Sequence, residues 1–219
     1  MLPLTFDGEG LVPAIVQDHL TGEIRMFAYA TTAAVRATLE TGRATFWSRS
    51  RGELWEKGRT SGNAIRVLRV LVDCDADCVI YSAEPQGHSC HTGATSCFFQ
   101  VLDGASLALD QATEQPQTLM AALEAVLESR KKSTAASSYT KSLYEAGVGR
   151  IGEKIREEAG ELAQAIASED DERVVSEAAD VVYHMLVGLR QRGVPMKRVL
   201  SELDRRIGVS GHEEKAARK

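Results

Sequence analysis

Hydrophobic periodicity changes once along this chain, near residue 118, and that change restricts the fold to two unlike halves. Before it, apolar and β-branched residues come in short runs: Val12–Gln17, Ile24–Ala30, Ala44–Arg49, Val67–Val72, Cys78–Ser82 and Cys97–Leu102. Glycines and polar turns separate them, which predicts strands. A single helix is predicted among them, about Thr32 to Glu40, capped by Thr31 or Thr32 and stopped by Gly42. After the change, Leu119, Ala122, Leu123, Val126 and Leu127 form one apolar stripe at helical spacing. Further helices are predicted at about 149–168, 172–192 and 196–207, with Gly193-Val194-Pro195 parting the last two. The expected architecture is therefore two domains. Residues 1–103 form a β-rich α+β domain, residues 118–219 an all-α helical bundle, and the weakly periodic, proline-containing stretch 104–117 a linker. The final Gly211–Lys219 reads as a solvated tail.

The 219 residues, 43% apolar and 26% charged, are enough for two modest cores but few enough that oligomerisation would help each. Thirty-one acidic against 26 basic residues give a net charge of −5, with no long run of like charge. Neither nucleic acid nor a membrane surface is an expected partner, and a small molecule is. No apolar run approaches the ~18 residues of a membrane span, and the first residues have no basic start or apolar core, so the expected location is the cytoplasm.

All four cysteines, Cys74, Cys78, Cys90 and Cys97, fall within one 24-residue window. In a reducing compartment such crowding points to a metal site or a reactive thiol before a disulfide framework. The segment Asp73-Cys-Asp-Ala-Asp-Cys78 follows a strand-like run. If the strand continued, Asp73, Asp75 and Asp77 would face one way and Cys74 and Cys78 the other. Carboxylates suit Mg²⁺ or Ca²⁺ and thiolates suit Zn²⁺, so two kinds of metal are implied. Taken alone, the aspartates also fit a solvated acidic turn. An EF-hand loop is disfavoured, because Cys78 stands where that loop needs glycine and strands flank the segment. The thiols in turn fit either a closed four-cysteine zinc or a catalytic zinc held by three, with His91 in sequence reach as a proton shuttle.

Between two strand runs lies Phe46-Trp-Ser-Arg-Ser-Arg-Gly-Glu-Leu-Trp-Glu-Lys-Gly-Arg-Thr-Ser-Gly-Asn63, a basic and hydroxyl-rich stretch with glycines that could bind phosphate. Trp47 and Trp55 read as strand-packing residues. In the second half, Glu158 and Glu161 lie on one predicted helix and Glu177, Asp180 and His184 on the next. At ~100° per residue, the last three share a ~60° sector, and Glu158 sits at the edge of its helix's apolar face. Two helices presenting acids at i and i+3 can converge on Mg²⁺, although the same acids also fit solvent-facing helix surfaces.

Phe46-Trp-Ser-Arg-Ser-Arg, Leu54-Trp55, Lys57-Gly58, Thr60-Ser-Gly-Asn63, Asp73-Cys-Asp-x-Asp77, Cys90-His-Thr-Gly93 and Ser96-Cys-Phe98 together resemble the phosphoribosyl-AMP cyclohydrolase family of histidine biosynthesis over about residues 11–103. The resemblance implies a homodimer with Zn²⁺ on Cys74, Cys90 and Cys97, shared across the subunit interface, and Mg²⁺ on Asp73, Asp75 and Asp77. It leaves Cys78 outside the zinc set. His91 is the expected catalytic shuttle, and Arg49, Arg51, Lys57, Thr60, Ser61, Gly62 and Asn63 are the expected substrate contacts. Arg59 stands where the family usually has an acid, and His88 where it often has proline.

Ser138-Tyr-Thr-x-x-Leu143, Glu145-x-Gly147, Lys154…Glu157-Glu158-Ala…Glu161 and Glu177-Ala-Ala-Asp180-Val-Val-Tyr-His184 resemble phosphoribosyl-ATP pyrophosphohydrolase, an all-α nucleotide pyrophosphohydrolase, over about 118–207. Here the resemblance implies Mg²⁺ on Glu158, Glu161, Glu177 and Asp180, Glu158 and Glu161 as catalytic groups, and His184 at the substrate. Cleavage of phosphoribosyl-ATP to phosphoribosyl-AMP and pyrophosphate would precede hydrolytic opening of the adenine ring. The rival expectation is a non-enzymatic interaction protein with a four-cysteine zinc staple and a helical dimerisation module.

Overall fold

Alternating small and branched side chains at Val12, Ala14 and Val16 give the first strand one fully buried face. The structure, a computed structural model, describes residues 2–102, 104, 109–111, 118–132 and 138–207. They fall into two compact units, Met1–Thr118 and Leu119–Lys219. The expected tail, 211–219, lies outside the described residues.

The first unit contains β1 (Val12–Asp18), β2 (Ile24–Ala30), α1 (Thr32–Thr41), β3 (Thr45–Ser48), β4 (Glu53–Glu56), β5 (Ile65–Val72), β6 (Val79–Pro85), β7 (Gln100–Leu102) and β8 (Leu109–Gln111). Six strands form one sheet in the order β4-β3-β2-β1-β6-β5, antiparallel throughout except for the parallel pair β1 and β6. The residues before β3 also reach β5: Ala44 N–H donates to the Ile65 carbonyl at 3.0 Å and Val67 N–H to the Gly42 carbonyl at 2.7 Å. These bonds curl the sheet around α1. The Thr31 hydroxyl caps α1 by accepting from Ala34 N–H at 3.2 Å, and Gly42 ends it in the left-handed region at φ 67°. Beneath α1, Ala34 and Val35 join Phe46, Val79 and Tyr81 in the core, where the Phe46 ring lies 5.0 Å from Trp55 and 5.5 Å from Tyr81. The stretch read as a linker includes β8, which pairs with β7 from Leu102↔Leu109 to Gln100↔Gln111.

The second unit contains α2 (Leu119–Lys132), α3 (Tyr139–Ser168), α4 (Asp171–Gln191) and α5 (Met196–Arg206). α3 begins ten residues before the predicted 149 and runs through a break at Gly147, whose φ of 83° only glycine adopts easily. Leu127, Leu143, Ile151, Leu186, Val187 and Met196 are its core. Leu119 does not join the stripe predicted for it. It is 82% exposed, as the first residue of α2, while Met120 and Leu123 in the same turn pack against the core. Among the described residues no helix is long and apolar enough to cross a membrane.

Because Phe46 is fully buried between two rings, Phe46→Ala is expected to destabilise the first unit by about 3–5 kcal/mol. Urea unfolding followed by Trp47 and Trp55 fluorescence reads this loss, while the far-ultraviolet circular dichroism of the helical unit keeps its midpoint.

Candidate active sites

Strand pairing in the β5–β6 hairpin stops at Val72↔Val79, and the six residues between them make a tight turn. The strand does not continue through this segment, so the alternation of aspartates and cysteines between two faces does not occur. Asp73 closes the turn instead. Its N–H donates to the Cys78 carbonyl at 3.2 Å, and its Oδ1 accepts from Cys78 N–H at 3.0 Å. Ala76 takes the left-handed conformation at φ 63°. The turn draws carboxylate oxygens of Asp73, Asp75 and Asp77 to within 4.8 Å of one another, all exposed. The Cys78 N–H holds the Asp73 carboxyl below its ordinary value, whereas the interaction of Asp77 as donor toward Asp73 and the charge of Asp75 push Asp77 up. Three carboxylates this close are a ready oxygen set for a hard cation.

Cys90 and Cys97 lie on the same loop after β6, near enough for each thiol to act on the other's pKa. Burial works against a thiolate at Cys90, but the Thr92 hydroxyl at 3.1 Å and neighbouring backbone N–H groups outweigh it and lower its pKa. Burial and the adjacent Cys90 push Cys97 up to about 11, opposed by Lys57. Cys74 is exposed on the aspartate turn. Among the described residues no third thiol or imidazole completes a three-ligand group with Cys90 and Cys97. Cys78, half-buried, has its thiol pushed up by desolvation and by Asp73 and Asp77.

A cleft of about 770 Å³ opens beside this loop, within the size range of small-molecule sites. Arg51, Lys57, Thr60, Ser61, Asn63, Cys90 and His91 line it, together with Trp55 and Arg59. Arg49 does not. Its guanidinium stacks over the Tyr29 ring at 4.2 Å. Gly62 shapes the turn from behind, with its N–H on the Gly58 carbonyl at 2.9 Å. Gly58 itself has φ +87°, and a Cβ there would lie 2.3 Å from the Ala64 nitrogen.

In the second unit the packing of α3 on α4 brings Glu158, Glu177 and Asp180 within 4.8 Å, the first two buried. Glu161 is exposed and near enough to Glu177 to raise its pKa. Lys154 holds Glu158 at 2.8 Å and Glu157 at 2.9 Å, and Arg173 holds Glu177 Oε1 at 2.6 Å. Glu177 Oε2 is buried with no hydrogen-bond partner. Desolvation raises the Glu177 pKa despite Arg173, with Glu161 and Asp180 adding to the rise. An orphaned, electron-rich oxygen between two further carboxylates fits a divalent cation. His184 is buried and uses both ring nitrogens: Nδ1 donates to the Asp180 carbonyl at 2.9 Å, and the Tyr139 hydroxyl meets Nε2 at 3.0 Å. Sequence reasoning passed over Arg25, Thr92 and Tyr139. Thr92 and Tyr139 stand inside the quoted motifs without a role of their own, and Arg25 shows as one charge inside an apolar strand run.

An acid-lined helical unit and a β-rich unit with a thiol pair, an acidic turn and a basic cleft together have the layout of a two-site hydrolase. The family model for Phosphoribosyl-AMP cyclohydrolase matches residues 26–99, and that for Phosphoribosyl-ATP pyrophosphohydrolase matches residues 120–207. The Histidine biosynthesis bifunctional protein HisIE of Wolinella succinogenes is 41% identical over 213 residues, covering 95% of this chain and 93% of that protein. The protein of the same name from Aquifex aeolicus is 41% identical over 94% of this chain and 100% of its own length. That from Helicobacter hepaticus is 39% identical over 95% and 94%. The chain belongs to the family of bifunctional histidine-biosynthesis enzymes that join a phosphoribosyl-AMP cyclohydrolase to a phosphoribosyl-ATP pyrophosphohydrolase.

Gly58→Ala should cost at least about 1 kcal/mol from its backbone conformation alone and displace the 57–63 wall of the cleft. Steady-state kinetics are expected to show a raised KM for ring opening and an unchanged KM for pyrophosphate release.

Proposed function

We propose that the helical unit cleaves phosphoribosyl-ATP to phosphoribosyl-AMP and pyrophosphate, and that the β-rich unit then opens the adenine ring of that product. The observation that supports this division is that each unit carries its own ligand cluster inside the stretch matching one of the two family models. Nothing in these matches supports a non-enzymatic interaction protein.

In the helical unit Glu158, Glu161, Glu177 and Asp180 would hold Mg²⁺, which when bound neutralises phosphate charge and orients water. Lys154 and Arg173 balance part of the acidic charge and hold Glu158 and Glu177 in place. His184, fixed as the Nδ1–H tautomer by the Asp180 carbonyl, keeps its ring 3.8 Å from Glu158. We assign it a positioning role, set back from the substrate contact that the resemblance implies.

In the β-rich unit the thiol pair Cys90 and Cys97 forms two corners of a zinc site, and Cys74 of a second copy would supply a third in a homodimer. Zinc bound there would supply the Lewis acidity that makes water nucleophilic near neutral pH, for attack at ring carbon 6. His91 lines the same cleft as Cys90, with Nδ1 3.9 Å from the Cys90 sulfur, and would carry a proton from that water. Lys57, Arg51, Thr60, Ser61 and Asn63 present the cations and hydroxyls to which a phosphoribosyl phosphate would bind. The carboxylates of Asp73, Asp75 and Asp77 would hold Mg²⁺.

The direct test is to incubate the protein with phosphoribosyl-ATP, Mg²⁺ and Zn²⁺ and follow both products, with absence of both overturning the reading. Glu177→Gln is expected to weaken Mg²⁺ binding about 10- to 100-fold and to suppress pyrophosphate release while supplied phosphoribosyl-AMP is still opened. Loss of both activities would contradict independent sites. Metal analysis should find that Cys90→Ser loses zinc and Cys78→Ser keeps it. Equal loss in both would favour a closed four-thiol site.

A further inference from the structure

The pairing of β1 with β2 slips by one residue. Val16 faces Met26 and Gln17 faces Ile24, so Arg25 has no partner in the ladder. This is a β-bulge, a device that re-aims a side chain and frees backbone groups. Both effects are visible here. The Arg25 carbonyl, released from the ladder, accepts the Cys97 N–H at 2.9 Å. The Arg25 side chain is buried, where Nε donates to Ser89 Oγ at 3.3 Å and a terminal nitrogen donates to the Gly87 carbonyl at 3.1 Å. The fully buried Asp18 lies 4.0 Å from the guanidinium, with Glu23 at 3.4 Å. Asp18 is itself fixed by the N–H groups of Leu20 and Thr21 at 3.1 and 3.3 Å. One residue earlier in the loop's second arm, the Ser96 hydroxyl donates to the Ile24 carbonyl at 2.8 Å.

The loop carrying the thiol pair is thus fastened at both ends to a single bulge. The arm before Cys90 is held by the Arg25 side chain and the arm before Cys97 by the backbone of Ile24 and Arg25. Two thiolates on one tetrahedral zinc must lie about 3.8 Å apart, as follows from a Zn–S bond of ~2.3 Å. Fastening both arms limits how far the two thiols can move apart. A buried guanidinium facing a buried carboxylate is strongly held, because separating them leaves an uncompensated charge.

We propose that Arg25 is a positioning residue of the cyclohydrolase site, setting the Cys90 arm at the spacing from Cys97 that a shared thiolate-bound cation requires. This rests on the reading of Cys90 and Cys97 as zinc ligands. It assigns to Arg25 a role in metal affinity and geometry, with no contact to the substrate.

The test uses the full chain with Co²⁺ as an optical probe for zinc, following the thiolate-to-cobalt charge-transfer band and the tetrahedral visible bands, and chelator competition for Zn²⁺. Wild type is expected to show both spectral features. Arg25→Met should weaken Zn²⁺ binding about 10- to 100-fold and shift the cobalt bands. Ser89→Ala, which keeps the Arg25–Asp18 pair intact, should weaken binding in the same direction by less. Pyrophosphate release from phosphoribosyl-ATP should be unchanged in every variant, since Arg25 lies outside the helical unit. Wild-type affinity and spectra in both variants would overturn the proposal. So would a loss in Arg25→Met accompanied by unfolding of the first unit while Ser89→Ala binds as wild type. If wild type itself shows no thiolate band, the zinc reading fails first and the role of Arg25 with it.

Discussion

Groups that repel one another must be held together in both units of this chain, and their frames have to resist that repulsion before any cation arrives. Like charges within a few ångströms shift one another's pKa and push the chain apart unless the backbone holds them. Asp77 and Glu177 both show the strain, each pushed above its ordinary value, Asp77 first by its hydrogen bond with Asp73 and Glu177 first by burial. The two units meet the constraint with different means.

In the β-rich unit the frame is a turn six residues long, closed by reciprocal Asp73 and Cys78 bonds and made possible by Ala76 in the left-handed region. Local geometry does the gathering there, and the acids remain exposed. In the helical unit the frame is the packed face of two long helices. Ile151, Leu186 and Val187 bury the interface, and the acids at its margin become buried with them. Lys154 and Arg173, each four residues before the carboxylate it holds, offset part of the cost. The thiol pair is a third case, in which a long loop is fastened to a bulged strand.

Much of this was legible in the residues. The caps of α1, Thr31 and Gly42, follow from local chemistry and lie where side-chain type places them. The separation into a strand-rich and a helical half follows from periodicity, because burial on one face imposes a repeat of two in a strand and 3.6 in a helix. The aspartate cluster is legible too, and of its two readings the structure favours the exposed turn over the continued strand. Alternation along an extended strand predicts which residues share a face only while the strand stays extended, and the hairpin turned one residue after Val72. The helix α3 begins ten residues before its periodicity predicts, since Gly147 interrupts the local pattern while helix continues on either side of it.

Sequence by itself determined the type of most elements, though not of β4 and β8, together with the ligand chemistry available and the assignment to a family, because these depend on residue identity and short-range spacing. Tertiary structure alone decided which ligands meet. Glu158 and Glu177 lie 19 positions apart in the sequence and share a site through the crossing of two helices. Cys90 and Cys97 join while Cys74 stays on another turn. Arg25 acquires its partners Ser89 and Gly87 only through a one-residue slip in strand pairing. No local pattern encodes such contacts, since they arise from the relative placement of segments far apart in the chain, set by how the whole core packs.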